Sequence, residues 1–265
     1  MRKTDIFTVA RSCITHPIEN TRILKEGLSL RRSALHPCRY IFSTHHKALT
    51  VFLGRILKTY SIITGRRFSE GCGHEIDWTA PVILDHHSEV NLGNVGDAFV
   101  LHVRRDPRDV LISSCFYHQK SEETWLHRSR HEFGGKSYQE HLRSLPTLDS
   151  KLIFEMDHAS GETINDMLKW NYDHPATVEL TYEEMIKKDS SEKFDAILID
   201  RDLPRVERNL LVQLYRNFSL DGPWVSRRHV RNPRPEQWRE YFTPSIAAAF
   251  DERFPGALSK LGYAG

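Results

Sequence analysis

The stretch Cys38–Tyr60, CRYIFSTHHKALTVFLGRILKTY, decides the fold. Its first part, Cys38 to Thr44, is a short apolar run rich in β-formers. Its second part, Ala48 to Tyr60, places Leu49, Phe52, Leu53, Ile56 and Tyr60 at helical spacing. The pattern predicts a strand, a tight turn and a helix, with Thr44, His45, His46 and Lys47 in the turn. A helix N-terminus offers unpaired backbone N–H groups and the positive end of its dipole, and a lysine there adds a full charge. The junction therefore suits an anion such as a phosphate.

Working outward, APVILDHH (Ala80–His87), AFVLHVRR (Ala98–Arg105) and ATVELTYE (Ala176–Glu183) are further apolar runs that end in polar residues. Continuous apolar strands alternating with helical patterns predict an α/β fold whose central parallel sheet is flanked by helices. After the third strand, Asp106 is placed to cap a helix and Pro107 to occupy its first turn, where a missing N–H costs nothing. Leu111 with Cys115, and Ile112 with Phe116, fall on the core side of that helix. Further helices are expected near Ser191–Ile199 and Pro244–Phe254. Residues 121–173 are polar and contain glycine, with one amphipathic segment near Ile164–Trp170, and read as an insertion. Residues 1–38 show no sustained periodicity and read as an N-terminal extension, which leaves 39–265 as the main domain.

The chain has 265 residues, enough for one large core without disulfides or a structural metal. No run approaches the roughly 18 apolar residues of a membrane span, and the opening MRKTDIFTVARSCITHP is too polar for a signal peptide. Cys13, Cys38, Cys72 and Cys115 form no CxxC pair, as expected of reduced thiols in a cytoplasmic protein. A net charge of +2 argues against a nucleic-acid binder, yet it hides basic islands. Through Arg39 there are eight Lys or Arg against three Asp or Glu, and Arg227–Arg239 holds five Arg against Glu236 alone.

GGKS (Gly134–Ser137) lacks the first glycine and preceding strand of a Walker A loop. His45/His46 and His86/His87 are adjacent pairs, so within a strand each offers only one ligand to a common site, and no metal is expected. The stronger signals lie at strand ends. Arg105 closes the third strand just before the Asp106 cap, and Ser113 follows eight residues later on the helix. Arginine grips a phosphate through its planar fork, and serine adds a neutral donor.

Together these segments resemble the cytosolic sulfotransferase family, which transfers the sulfuryl group of 3′-phosphoadenosine 5′-phosphosulfate (PAPS). Thr44–Phe52 is similar to the family's loop TYPKSGTTW, with Lys47 at its lysine and Phe52 at its adenine-stacking tryptophan. Arg105–Asp109 with Ser113 is similar to RNPKDxxxS. Glu179–Glu184, after Trp170 and Pro175, resembles the segment ending in YED, which puts Tyr182 against adenine. Arg231–Trp238 with Phe242 and Thr243 resembles RKGxxGDWKxxFT. The family's PRxxKTHL strand aligns with Pro81–His87, placing His87 at the catalytic histidine and Asp85 at a usual lysine, with His86 as the reserve base.

The resemblance spans Arg39 to Thr243 and implies a P-loop-like, three-layer fold. It implies that Lys47 and the backbone of Ala48, Leu49, Thr50 and Val51 hold the 5′-phosphosulfate. Arg105, Ser113, Arg231 and Asn232 would hold the 3′-phosphate, with Phe52, Tyr182 and Phe218 against adenine. Histidine, near 6.5 in model compounds, suits proton abstraction from an acceptor hydroxyl. Two departures stand out. Leu49 replaces a glycine, and as a helix-start residue it is expected to need no positive φ. Pro233 replaces the glycine of RKG and removes one backbone donor.

The acceptor is expected to be a small molecule or glycan, with Trp125, His127, His131, Tyr138 and Glu155 of the insertion as its wall or lid. Two other readings stay open. A P-loop kinase would need a magnesium-binding Ser or Thr where Ala48 stands, and a non-catalytic nucleotide-binding module would tolerate both departures.

Overall fold

The structure is a computed structural model that describes residues 35–225 and 232–263. In chain order it contains β1 (Tyr40–Thr44), α1 (Thr50–Thr64), β2 (Phe68–Gly71), β3 (Val82–Asp85), β4 (Phe99–Arg104) and α2 (Pro107–His118). Then follow α3 (Tyr138–Ser144), α4 (Leu148–Asp157), α5 (Ala159–Lys169), β5 (Thr177–Thr181), α6 (Ser190–Asp200), α7 (Arg205–Phe218) and α8 (Pro244–Arg253). The strands form one five-stranded parallel sheet in the order β2-β3-β1-β4-β5, flanked by helices, as the sequence predicts.

The described chain divides into two compact units. The first takes the described residues of Met1–Thr44, Leu49–His102 and Asp173–Pro233, and the second those of His45–Ala48, Val103–Tyr172 and Arg234–Gly265. In the first unit every residue of β1 and β3 is buried, the signature of strands covered on both faces. Tyr40 pairs with Val82 and Ser43 with Asp85 across β1 and β3, while Gly71 of β2 stands opposite Asp85 from the other side. Leu53, Ile56, Leu57 and Tyr60 of α1 are fully buried, and each such side chain contributes about 1.5 to 3 kcal/mol by leaving water.

In the second unit α2 starts as expected, with the Asp106 carboxylate accepting from the Arg108 N–H and Pro107 in the first turn. Leu111, Ile112 and Cys115 of α2 pack with Leu152 and Met156 of α4, Ile164 of α5, and Ile246 and Phe250 of α8. Leu126, Phe133, Tyr138, Leu142 and Phe154 form a second apolar cluster. Residues 121–173 are thus more helical than the sequence suggests. Three helices stand where one segment was expected, and Ser137 and Thr147 open α3 and α4 with reciprocal capping boxes.

Candidate functional site

The turn after β1 is tighter than the sequence implies. The Ala48 N–H donates to the His45 carbonyl at 2.9 Å, so this amide is committed to the turn and is not among the donors for an anion. Lys47 and Leu49 take left-handed backbone angles, with φ of 65° and 68°. The expectation that Leu49 needs no positive φ is therefore corrected. The chain must reverse within five residues, and residue 49 makes the last bend before α1. A leucine there strains its Cβ against the backbone, at a cost of about 1 to 2 kcal/mol. Helix α1 then begins at Thr50 with no side-chain cap and no acidic residue in its first turn. Of the remaining loop residues, Val51 is half-exposed and Phe52 stands edge-on to Tyr215, with centroids 5.0 Å apart.

In the second unit the two expected anion ligands are joined. Arg105 Nη1 donates to the Lys47 carbonyl at 3.0 Å, and Lys47 Nζ lies 3.6 Å from the centroid of the Tyr117 ring. Arg105 also faces Asp109 at 3.9 Å, both buried. Burial pushes the Asp109 carboxyl up, and the neighbouring guanidinium opposes that shift. Asp109 Oδ1 in turn accepts the Trp238 N–H at 2.9 Å. Arg108 forks onto Asp106 through Nε at 3.0 Å and Nη2 at 2.8 Å, with its guanidinium 3.6 Å above the Trp238 ring. The arginine-rich start of α2 and the C-terminal motif therefore meet at Trp238. Ser113 is half-buried further along α2, Asn232 is half-buried, and Arg231 lies outside the described residues.

Beneath this turn lies a group that the sequence reading did not assemble. His46 stacks on His118 with centroids 5.2 Å apart. His118 Nδ1 meets Glu155 Oε1 at 2.8 Å, and Ser160 donates to Glu155 Oε2 at 2.5 Å. Trp125 and Tyr138 stand edge-on to the same imidazole. Glu155 and Tyr138 were expected in an acceptor wall but are buried, at 0% and 1% exposure, while His127 and His131 are exposed. No local motif links His118 to Glu155, which is 37 residues away.

In the first unit β3 ends at Asp85. Its Oδ2 accepts from the Val90 N–H at 2.9 Å and the Ser43 hydroxyl at 3.2 Å, and its Oδ1 accepts the His87 N–H at 3.2 Å. Burial pushes the Asp85 carboxyl up to about 6. The His86 N–H donates to the Gly71 carbonyl, and burial holds its imidazole below the ordinary value. His87 is half-buried. Thr44 Oγ1 lies 2.9 Å from Thr50 Oγ1 and donates to the Asp85 carbonyl at 3.3 Å, so the start of α1 and the end of β3 share one network. Tyr182 is buried and donates to the Pro233 carbonyl at 2.9 Å, while Phe218 packs edge-on against Trp224.

Among the described residues, no helix is long and apolar enough to cross a membrane, and no cluster of three or more His, Cys, Asp or Glu is placed to hold a metal ion. No protein-family model matches the chain, and no curated protein matches it in sequence. Solved structures do match. The mouse sulfotransferase SULT7A1, crystallised with PAP, aligns over 88% of this chain and 88% of its own, with a TM-score of 0.53 at 17% identity. At that identity the likeness is one of fold, and the chain has the α/β fold of the cytosolic-type sulfotransferases.

Proposed function

We propose that this protein is a sulfotransferase that uses PAPS and sulfates a hydroxyl on a small molecule or glycan. The observation that carries the reading is the Arg105–Lys47 contact. Two segments 58 residues apart, each matched to a different motif of the family, converge in one unit, and the chain runs on from Lys47 into a helix whose first turn has no carboxylate. Those residues suit a nucleotide that is anionic at both its 3′ and its 5′ end. Lys47 and the N–H groups opening α1 would hold the 5′ end, and Arg105 with Ser113 the 3′-phosphate. The Ala48 amide is excluded from that set, and Arg231 and Asn232 would complete it.

PAPS, when bound, supplies the sulfuryl group and a phosphate leaving group. Lys47 offsets the charge that builds on the leaving oxygen, and His87 takes the acceptor hydroxyl proton, with His86 in reserve. Sulfuryl transfer of this kind asks for position and charge from the protein rather than for a covalent intermediate. The lysine lacks the neighbouring Ser or Thr that a magnesium-dependent kinase needs, which favours PAPS over ATP as donor.

The test is thermal unfolding with adenosine 3′,5′-bisphosphate or ATP at equal concentration. The bisphosphate raises Tm by several degrees and ATP by much less, because only the former carries a 3′-phosphate for Arg105. Equal shifts overturn the donor assignment. With a sulfate acceptor in hand, Lys47→Ala lowers turnover by roughly 100- to 1,000-fold, the usual loss of one charge-stabilising donor.

A further inference from the structure

We propose that Asp85, which stands where the related strand carries lysine, is a positioning residue whose buried carboxylate fastens the His86–Val90 loop, and with it His87, to β1. The anchoring rests on geometry alone, and only its effect on turnover rests on the sulfotransferase reading.

The carboxylate is 0% exposed, and its three donors are all neutral: the amides of His87 and Val90 and the hydroxyl of Ser43. Other bonds fix the same loop. Ser88, at φ 55°, donates its hydroxyl to the Thr44 carbonyl at 3.1 Å, and the His86 N–H bonds to Gly71 on β2. A carboxylate in this place cannot attract a sulfate, so its use is internal: it holds backbone donors.

The two oxygens are not equivalent. Oδ2 accepts two bonds, whereas Oδ1 accepts only the His87 N–H. A proton arriving on Oδ1 therefore displaces that amide and leaves the Val90 and Ser43 bonds in place. Neutral donors offset burial only in part, which is why the carboxyl is pushed up to about 6. The groups facing it are few. Glu89 on the loop raises it further. Cys72, one residue beyond Gly71, has a thiol pushed up to about 11 by burial, with Glu75, Glu89 and Asp85 adding to the shift. His86 and His87 follow Asp85 directly beyond the end of its strand, and β1 presents the uncharged Ser43 opposite.

Amide hydrogen exchange on the ¹⁵N-labelled full chain, between about pH 4.5 and 8, tests the anchoring. Protection of the His87 amide, corrected for its intrinsic rate, falls about tenfold as pH drops through about 6. The Val90 amide changes far less. Asp85→Asn abolishes the inflection, and Ser43→Ala moves it to higher pH by removing a donor to the ionised form. Protection of His87 that does not vary with pH, or an inflection that survives in Asp85→Asn, overturns the proposal. If Asp85→Asn does not fold, an inflection left unmoved by Ser43→Ala overturns it equally. Calorimetric titration of the same samples with adenosine 3′,5′-bisphosphate separates the two claims: no binding by the unsubstituted chain sinks the nucleotide reading and leaves the exchange result intact. Where turnover is measurable, kcat/KM falls more steeply below about pH 6 in the unsubstituted chain than in Asp85→Asn.

Discussion

Leu49 is one of five non-glycine residues with a positive φ among the described residues. It is held at φ 68° between the Lys47 bend and the first turn of α1. Leu49→Gly removes the Cβ strain and costs some chain entropy, so a net gain of about 1 kcal/mol is expected. The urea midpoint should rise with no change in slope, and an unchanged or lower midpoint would show that the loop relieves the strain elsewhere. The position of this turn was legible from the strand, the lysine and the helical spacing. Its backbone was not, because nothing in a leucine announces a left-handed conformation that tertiary context imposes. The Asp85 bonds were equally hidden, since a carboxylate at a strand end gives no sign of which amides will fold back onto it.

At the level of the element, α2 is fixed at both ends by ionisable side chains. Asp106 and Arg108 close its start, and His118 at its last residue is gripped by Glu155 of α4. Removing Glu155 leaves two buried groups, the His118 ring and the Ser160 hydroxyl, without their partner, so Glu155→Ala should cost about 2 to 6 kcal/mol. Glu155→Gln should cost much less, because an amide oxygen still serves His118 and its NH₂ can donate to the Ser160 hydroxyl. Equilibrium urea unfolding of both variants checks the order, and equal losses would mean that packing rather than pairing sets the cost. The start of α2 was readable from Asp106–Pro107 alone, as a local cap. Its far end was not, because the partner comes from a segment read as an insertion. Two framework elements also went unseen for opposite reasons. Strand β2, FSEG, is too short and too mixed to show a period. Helix α7 does show one, since Leu210, Leu211 and Leu214 are all buried at helical spacing, and the charged Arg205, Glu207 and Arg208 that open it masked it.

Across the first unit as a whole, one carboxylate binds distant parts of the chain. Glu207 of α7 is fully buried and accepts the hydroxyl of Tyr40 on β1 at 2.7 Å and that of Tyr60 on α1, and its other oxygen takes the His36 N–H at 3.0 Å. Arg66 lies 3.6 Å away and also donates to the Cys38 carbonyl at 2.7 Å. Glu207→Ala would leave the two buried phenols and the nearby Arg66 charge without this carboxylate, for about 3 to 5 kcal/mol, and lower Tm by roughly 10 °C. Burial, followed by neighbouring negative charge, raises both phenols well above their ordinary value. A raised folded-state value means that their contribution is fully present below about pH 10 and is lost as pH climbs through the folded values. The unfolding midpoint should therefore fall more steeply above about pH 10 in the unsubstituted chain than in Tyr40→Phe. The sheet these side chains support ends at β2 on one rim and at β5 on the other. Each rim strand is four or five residues long and carries a glutamate, Glu70 or Glu179. Borders this short offer an incoming strand few backbone groups to pair with, so the sheet is protected against templating its own aggregation, while Glu70 and Glu179 are themselves taken up by Lys58 and His102.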